Sequence, residues 1–418
     1  MAHGALISEI ETWLIGKALS DPDIAALFRK LCQRLHALGI PIDRAAVSWP
    51  TLHPLFRAEQ AVWRPDEGVT LMQFEHKDEG IEADRWLESP FYHVHVKNLT
   101  KMRRRLSGPE ARLDFSILEE LAASGYTDYL LTATRFRIAE VEHFAGGSTG
   151  IMATWSTKRT SGFSTNDFDG LSRIQEVFAV ACHASIQKRV MANIATAYLG
   201  PTAGKRVLNG DIRRGDGSRI PAVLWFSDMR NSTLLSDQMD PDDYLALLNS
   251  YFERTAQPVI DHGGEILNFI GDGVFAIFPI NADCPRDAAA AAEAAARAAL
   301  EMKCNRVECP LPPGATLDFG IGLSVGEVMF GNIGVRSRLA FSGIGRGVNA
   351  LHGIEAATKT LGAPVLADAA FADAAPGDWQ PAGRAELRDG HGPVELFTLS
   401  PATADQGDVL KGAAETAA

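Results

Sequence analysis

The sequence predicts an α+β fold over residues 218–400, preceded by an α/β unit of helices and short strands over residues 1–187. Three observations carry that reading. An apolar run, Ala222-Val-Leu-Trp-Phe-Ser, ends at Asp228 and a short polar turn, the pattern of a buried strand whose end is built to hold a metal ion. In His262–Phe278 the Gly271-Asp272-Gly273 turn sits between two strand-like runs and reads as a β-hairpin with an acid at its tip. Between these, Tyr244, Leu245, Leu248, Tyr251 and Phe252 recur on one face at helical spacing. Strands and helices so mixed predict a sandwich with a mostly antiparallel sheet.

The remaining elements follow in order. Residues 1–37 are predicted helical, with Ile7, Ile10, Trp13, Leu14 and Ile15 as an apolar stripe. Short strand-like runs follow between 45 and 155, such as Val69–Phe74 and Tyr129–Thr134, and then a helix from Thr165 to Gln187. A second helical stretch, 186–199, is stopped by Gly200-Pro201, and the Gly- and Arg-rich stretch 204–217 reads as a connector. Residues 188–217 are thus expected to link two domains, where a signal would have to pass. Asp240-Pro241 starts the helix that bears Tyr244, and Pro258 is expected to kink or end it. A second, Ala-rich helix spans Arg286 to Lys303, with a loop at Cys309–Gly314. Strands at 316–325 and 327–333, a helix over 348–361 and a strand at 364–367 complete the domain, and 401–418 reads as a disordered tail.

Composition sets the outer bounds. A length of 418 residues with 46% hydrophobic content suits two domains, each with its own core. No apolar run approaches the roughly 20 residues that cross a bilayer, and the Met1-Ala-His-Gly start lacks a basic, then apolar, segment, so a cytoplasmic protein without a membrane span is expected. Cys32, Cys182, Cys284, Cys304 and Cys309 have no CxxC spacing and read as reduced thiols rather than a zinc site or disulfide frame. A net charge of -12 argues against a broad nucleic-acid surface but leaves room for a local phosphate pocket.

Asp228 and Asp272 are the candidate metal ligands, because acids held at a strand end and a hairpin tip suit Mg²⁺, which leaves coordination positions open for substrate phosphates. Taken alone, each has a plainer reading, a helix-capping acid for Asp228 and a turn aspartate for Asp272. Together they point to two-metal phosphoryl chemistry.

Four blocks in order, Phe226-Ser-Asp228-Met-Arg230, Ile270-Gly-Asp272-Gly, Gly320–Gly334 with its repeated glycines, and Ile344-Gly-Arg-Gly-Val-Asn349 followed by Ile354-Glu-Ala-Ala-Thr-Lys359, resemble the class III nucleotide cyclases. The resemblance covers roughly residues 218–400 and implies a ferredoxin-like catalytic domain that makes a 3′,5′-cyclic nucleotide and pyrophosphate from a nucleoside triphosphate. It implies two ions, Mg²⁺ or Mn²⁺, held by Asp228, Asp272 and the backbone of Met229, and phosphate contacts from the amides of Asn231, Ser232 and Thr233. Asn349 falls at the ribose-orienting asparagine, and Arg388, in Leu387-Arg388-Asp-Gly, at a basic phosphate contact. The family's base-selecting positions hold Asn268 and Ser342, two side chains that both donate and accept, so base choice stays open and ATP is favoured by family frequency alone. A cyclase for GTP or a pyrimidine triphosphate is the alternative. Such sites form between two catalytic domains, so the single one here implies a homodimer.

The chain departs from the family pattern at three places. Asn231 and Ser232 replace a Gly-Phe pair, and Gly353 stands where a transition-state arginine is expected. Losing a cation aimed at developing charge costs on the order of 100- to 1000-fold in rate. Arg346 ranks first among replacements, ahead of His352, Arg336 and Arg338. Gly353 also motivates a reading as a regulatory domain that binds nucleotide without turnover. A diguanylate cyclase is a weaker rival, resting only on Gly263-Gly-Glu265.

The N-terminal half resembles a GAF- or PAS-type sensor in layout only, with a small molecule or protein as its unidentified signal. Within it, Phe91-Tyr-His-Val-His95 reads by alternation as a strand with both histidines on one face, and Lys101–Leu106 as a solvated helix face.

Overall fold

A computed structural model of the protein describes residues 2–20, 22–76, 85–136, 150–281, 287–304, 311, 317–387 and 392–399. Arg388, the tail from 401 and all of the Cys309–Gly314 loop except Leu311 lie outside them. The chain divides into two compact units, Met1–Ala197 and Tyr198–Ala418.

The first unit begins with α1 (Ala2–Ala18) and α2 (Ile24–Ala37), the latter capped by Asp23, whose carboxylate accepts from the Ala26 amide at 2.8 Å. Strands β1 (Arg44–Pro50), β2 (Phe56–Arg64), β3 (Gly68–Glu75), β4 (Lys101–Arg105), β5 (Asp128–Arg135) and β6 (Gly150–Thr157) form one sheet in the order β3-β2-β1-β6-β5-β4. Every pairing in it is antiparallel, so the unit is not built of parallel βαβ crossovers as an α/β layout would be. Helices α3 (Pro90–Val96) and α4 (Ser116–Ala123) sit between strands, and α5 (Thr165–Leu199) is one continuous helix across both expected helical stretches. Ile7, Ile10 and Leu14 of the expected stripe join Phe28, Trp49, Trp155 and Phe178 in the core, while Ile15 is exposed. Cys32 and Cys182 are buried free thiols.

Two expectations in this unit are corrected. Phe91–His95 lies in helix α3, so His93 and His95, two apart, face different directions and do not make a paired ligand. Lys101–Arg105 is strand β4, and its arginines are paired: Arg103 and Arg105 reach the buried Asp128 at 2.6 and 3.2 Å, and Arg104 reaches Asp114 at 2.9 Å.

The second unit opens with α6 (Pro201–Leu208), so the stretch expected as connector begins as a helix with Ala203 and Gly204 buried. Then come β7 (Gly217–Met229), α7 (Ser232–Gln238), α8 (Pro241–Asp261), β8 (Glu265–Ile270), β9 (Gly273–Pro279), α9 (Asp287–Cys304) and β10 (Phe319–Val335). The order β10-β7-β9-β8 of this βαββαβ run is the ferredoxin-like arrangement. The chain continues through β11 (Arg338–Ile344), α10 (Arg346–Leu361), β12 (Val365–Asp368), α11 (Ala369–Ala374), β13 (Trp379–Glu386) and β14 (Pro393–Leu399). β12 joins β10 in parallel, β14 and β13 extend that edge, and β11 folds back on β10 as a hairpin. The two strands expected at 316–333 are thus one long strand, and α8 runs three residues beyond Pro258.

Alternation along β7 sorts the two cores. Val223 and Trp225 face Leu247, Tyr251 and the alanines of α9, whereas Leu224 and Phe226 face Val348 and Leu351 of α10. By the same alternation Asp228 falls on the α10 face and Met229 in the opposite core. No helix among the described residues is long and apolar enough to cross a membrane.

Candidate active site

The site starts where β7 stops. Its last pairs with β10 are Asp228 with Gly320 and Met229 with Phe319, and the Arg230 amide closes the end by donating to the Asp318 carbonyl at 2.7 Å. Asn231 then turns with φ 58 and ψ 25, the left-handed conformation, and leads into α7. The family's glycine at this point is therefore replaced by the residue that, after glycine, tolerates that conformation best.

The expected hairpin is present, with Asp272 between β8 and β9 and Gly271 at φ 62. It brings Asp272 to Asp228, and the Asp272 carboxylate accepts from the Met229 amide at 3.2 Å. Burial, then the charges of Asp272 and Glu355 and a hydrogen bond between the two carboxyls, push Asp228 up to about 7, with Lys359 opposing. Burial, then the charges of Asp272 and Asp228, also raises the Tyr244 hydroxyl above its usual range. The fold thus forces two acids together, with the Lys359 charge only partly offsetting their repulsion. Among the described residues no group of three or more His, Cys, Asp or Glu side chains is arranged to hold a metal, so the donor set here is these two carboxylates and nearby backbone. An all-oxygen set with few protein ligands is the kind that suits Mg²⁺ or Mn²⁺ and does not suit zinc.

The two base-selecting candidates also meet. The Asn268 amide donates to the Ser342 hydroxyl at 3.0 Å, joining β8 to β11. The Asn268 side-chain oxygen, its second N–H and the Ser342 hydroxyl hydrogen are not used in that bond; the oxygen and the hydroxyl hydrogen make one acceptor and one donor. That pair matches the amino group and N1 of adenine, and equally the N1–H and O6 of guanine.

Asn349 and Arg346 are exposed on the first turn of α10, and among the described residues no hydrogen bond ties either side chain to the acids. Ser232 and Thr233 form the first turn of α7. Arg336 and Arg338 lie exposed at the β10–β11 turn, and the His352 ring packs on Phe226 at 4.1 Å. A Cβ at Gly353 would come 2.9 Å from the Leu387 Cδ2, the movable end of that side chain, so Leu387 packs against Gly353.

Sequence reasoning passed over Arg230, Glu355 and Thr358, although all three stand in the motif blocks. The Arg230 guanidinium is buried against α10, donating to the Thr358 hydroxyl at 2.6 Å and lying 3.7 Å from the Glu355 carboxylate. Burial raises the Glu355 carboxyl, with Arg230 and Lys359 opposing. Gly320 makes this possible: a Cβ there would come 2.4 Å from the Thr358 hydroxyl and 2.6 Å from the Glu355 carboxylate.

Residues 219–364 match the family described as the adenylate and guanylate cyclase catalytic domain. Adenylate cyclase 1 of Rhizobium meliloti is 31% identical over 160 residues, 36% of this chain and 23% of that protein. An adenylate cyclase of Anabaena cylindrica is 31% identical over 161 residues, 37% of this chain and 31% of that protein. An uncharacterised protein of Mycobacterium tuberculosis is 29% identical over 238 residues, 55% of this chain and 42% of that protein. The chain spans less than half the length of these curated relatives. The crystal structure of the adenylyl cyclase CyaB from P. aeruginosa is similar at 23% identity with a TM-score of 0.36, over 44% of this chain and 95% of that one. Residues 219–364 are a class III adenylate/guanylate cyclase catalytic domain.

Proposed function

We propose that this chain is a sensor-regulated class III nucleotide cyclase, converting a nucleoside triphosphate to its 3′,5′-cyclic monophosphate and pyrophosphate, with ATP the first candidate substrate. The observation that carries the reading is the meeting of Asp228 and Asp272 at the end of β7 and the tip of the β8–β9 hairpin. With the Met229 backbone they would hold two ions, Mg²⁺ or Mn²⁺, whose charge activates the ribose 3′-hydroxyl and neutralises the triphosphate. The chain's own residues do the rest. The turn amides of Asn231, Ser232 and Thr233 face phosphate, and Asn268 and Ser342 hold the base edge. Asn349 from a second copy orients the ribose, while Arg346 and Arg388 supply positive charge at the phosphates. The sites are shared across a homodimer, and the first unit, through α5, sets how the catalytic domains dock in response to its signal.

A second reading is favoured by Gly353 and the Leu387 side chain against it: a nucleotide-binding regulator without turnover. Retention of both acids argues against it, since binding alone has little need of two metal carboxylates.

The test is to incubate the full chain with Mn²⁺ or Mg²⁺ and ATP, GTP, CTP or UTP separately, and to identify products by mass. A cyclic purine nucleotide that disappears in Asp228→Ala and in Asp272→Ala supports the cyclase. Full activity in either variant overturns the metal assignment, and no product from any triphosphate favours the regulator.

A further inference from the structure

Beside the two acids, a buried bridge runs from the end of β7 to α10. Arg230 stands two residues past Asp228, with its side chain 13% exposed, and the Glu355 side chain opposite it is 7% exposed. One guanidinium nitrogen of Arg230 and one carboxylate oxygen of Glu355 are buried without a hydrogen bond, facing one another at 3.7 Å. The third member, Thr358, takes the other guanidinium nitrogen and donates back to the Glu355 carbonyl. β10 makes room by carrying no side chain at Gly320 or at Gly322, where a Cβ would come 2.9 Å from the Glu355 amide nitrogen and 3.0 Å from the Leu351 carbonyl.

A buried ion pair adds little net stability over an apolar pair of the same shape, but removing one partner leaves an uncompensated charge, so the two elements it joins are held to the paired arrangement. Here it joins the end of β7, which carries Asp228, to α10, which carries Asn349 two turns before Glu355 and Thr358. On the cyclase reading, on which this inference rests, those two residues of one protomer serve different sites of the dimer.

We propose that Arg230, through Glu355 and Thr358, is a positioning residue that locks α10 to the Asp228–Asp272 turn, so that the acid half of one site and the asparagine half of the other move as one body. Cation binding at the acids then stiffens α10, and Asn349 is held in register for the neighbouring site.

Arg230→Ala alone leaves Glu355 buried and unpaired and is expected to unfold the domain. The informative variant is Arg230→Met with Glu355→Leu, which replaces the pair by apolar side chains of similar length. Three quantities are read on the full chain: Mn²⁺ affinity by calorimetry, hydrogen exchange at the amides of α10 with and without Mn²⁺, and kcat and KM with the triphosphate that wild type turns over. The expected result is Mn²⁺ affinity within about threefold of wild type, the loss a shared structural defect would cause being absent. Mn²⁺ should slow exchange across α10 in wild type but not in the double variant, and kcat should fall about 100-fold with little change in KM, the cost of a roughly 1 Å misplacement. Wild-type kcat with Mn²⁺ protection of α10 retained in the double variant overturns the bridge, as does the absence of that protection in wild type. A wild type without turnover, whose Mn²⁺ protection of α10 is nevertheless lost in the double variant, supports the bridge while removing the cyclase reading.

Discussion

Asp228 is where the electrostatics of this protein are most exposed to experiment. Its carboxyl is pushed up to about 7 by burial and by the Asp272 and Glu355 charges, against an ordinary value of 3.8. Because the folded state holds this proton more tightly than the unfolded chain does, the penalty is absent below about 3.8 and fully in force above about 7. Metal-free Asp228→Asn should therefore melt a few degrees above wild type at pH 8 and level with it near pH 4, by calorimetry; equal melting temperatures at both would remove the shift. Mn²⁺ must displace the same proton, so its apparent affinity should weaken up to about tenfold per pH unit below 7. Both acids were legible in the sequence because each ends an apolar run at a turn. Their mutual hydrogen bonding was not, since it depends on a pairing across 43 residues of intervening chain. Asn268 and Ser342 were likewise legible one at a time, and only the fold shows the 3.0 Å bond between them. Asn268→Lys puts a donor-only ammonium at the base edge, from which adenine N1 can accept and against which guanine N1–H cannot pair, so the ratio of ATP to GTP turnover should rise about tenfold, the worth of one hydrogen bond. An unchanged ratio would take Asn268 out of the base pocket.

Among the elements, α10 lies close on β10, and Gly320 and Gly322 are the reason. The blocks at Gly320–Gly334 were read as motif, but which glycines face a helix depends on how α10 lies over the strand. At Gly322 an added Cβ meets backbone atoms that have no rotamer to retreat to, 2.9 and 3.0 Å away. Gly322→Ala should cost about 1–3 kcal/mol in denaturant unfolding, as overpacking does. A variant as stable as wild type would mean that α10 can shift away. The two misread elements of the first unit have local causes. At 91–95 the alternation of apolar residues and histidines imitates a strand, yet Ser89 caps the segment through the Tyr92 amide at 3.1 Å and Pro90 sits at the first helical position, which starts a helix. At 101–105 the basic run looked solvated because its partner Asp128 lies more than 20 residues away and gives no local signal. In the second unit, by contrast, periodicity was enough for the mixture of helices and antiparallel strands, while the ferredoxin-like plan was implied by the resemblance of the four motif blocks.

At the scale of the molecule, the proposed cyclase would carry two half-sites on each protomer: the acids Asp228 and Asp272 for one site, and Asn349 with the base-edge residues Asn268 and Ser342 for the other. The composition was consistent with two units, and the structure divides the chain at 197. Which residues share a site across a dimer is beyond what periodicity can convey, because no sequence pattern marks the partner. Complementation tests this directly. Asp228→Ala and Asn349→Ala, each inactive alone, are mixed in equal amounts and allowed to exchange subunits, and cyclic nucleotide formation is measured. Half the dimers are then mixed, each with one intact site and one doubly broken site, so about a quarter of wild-type activity should return. A mixture no more active than its parents would contradict a site shared between two copies of this chain.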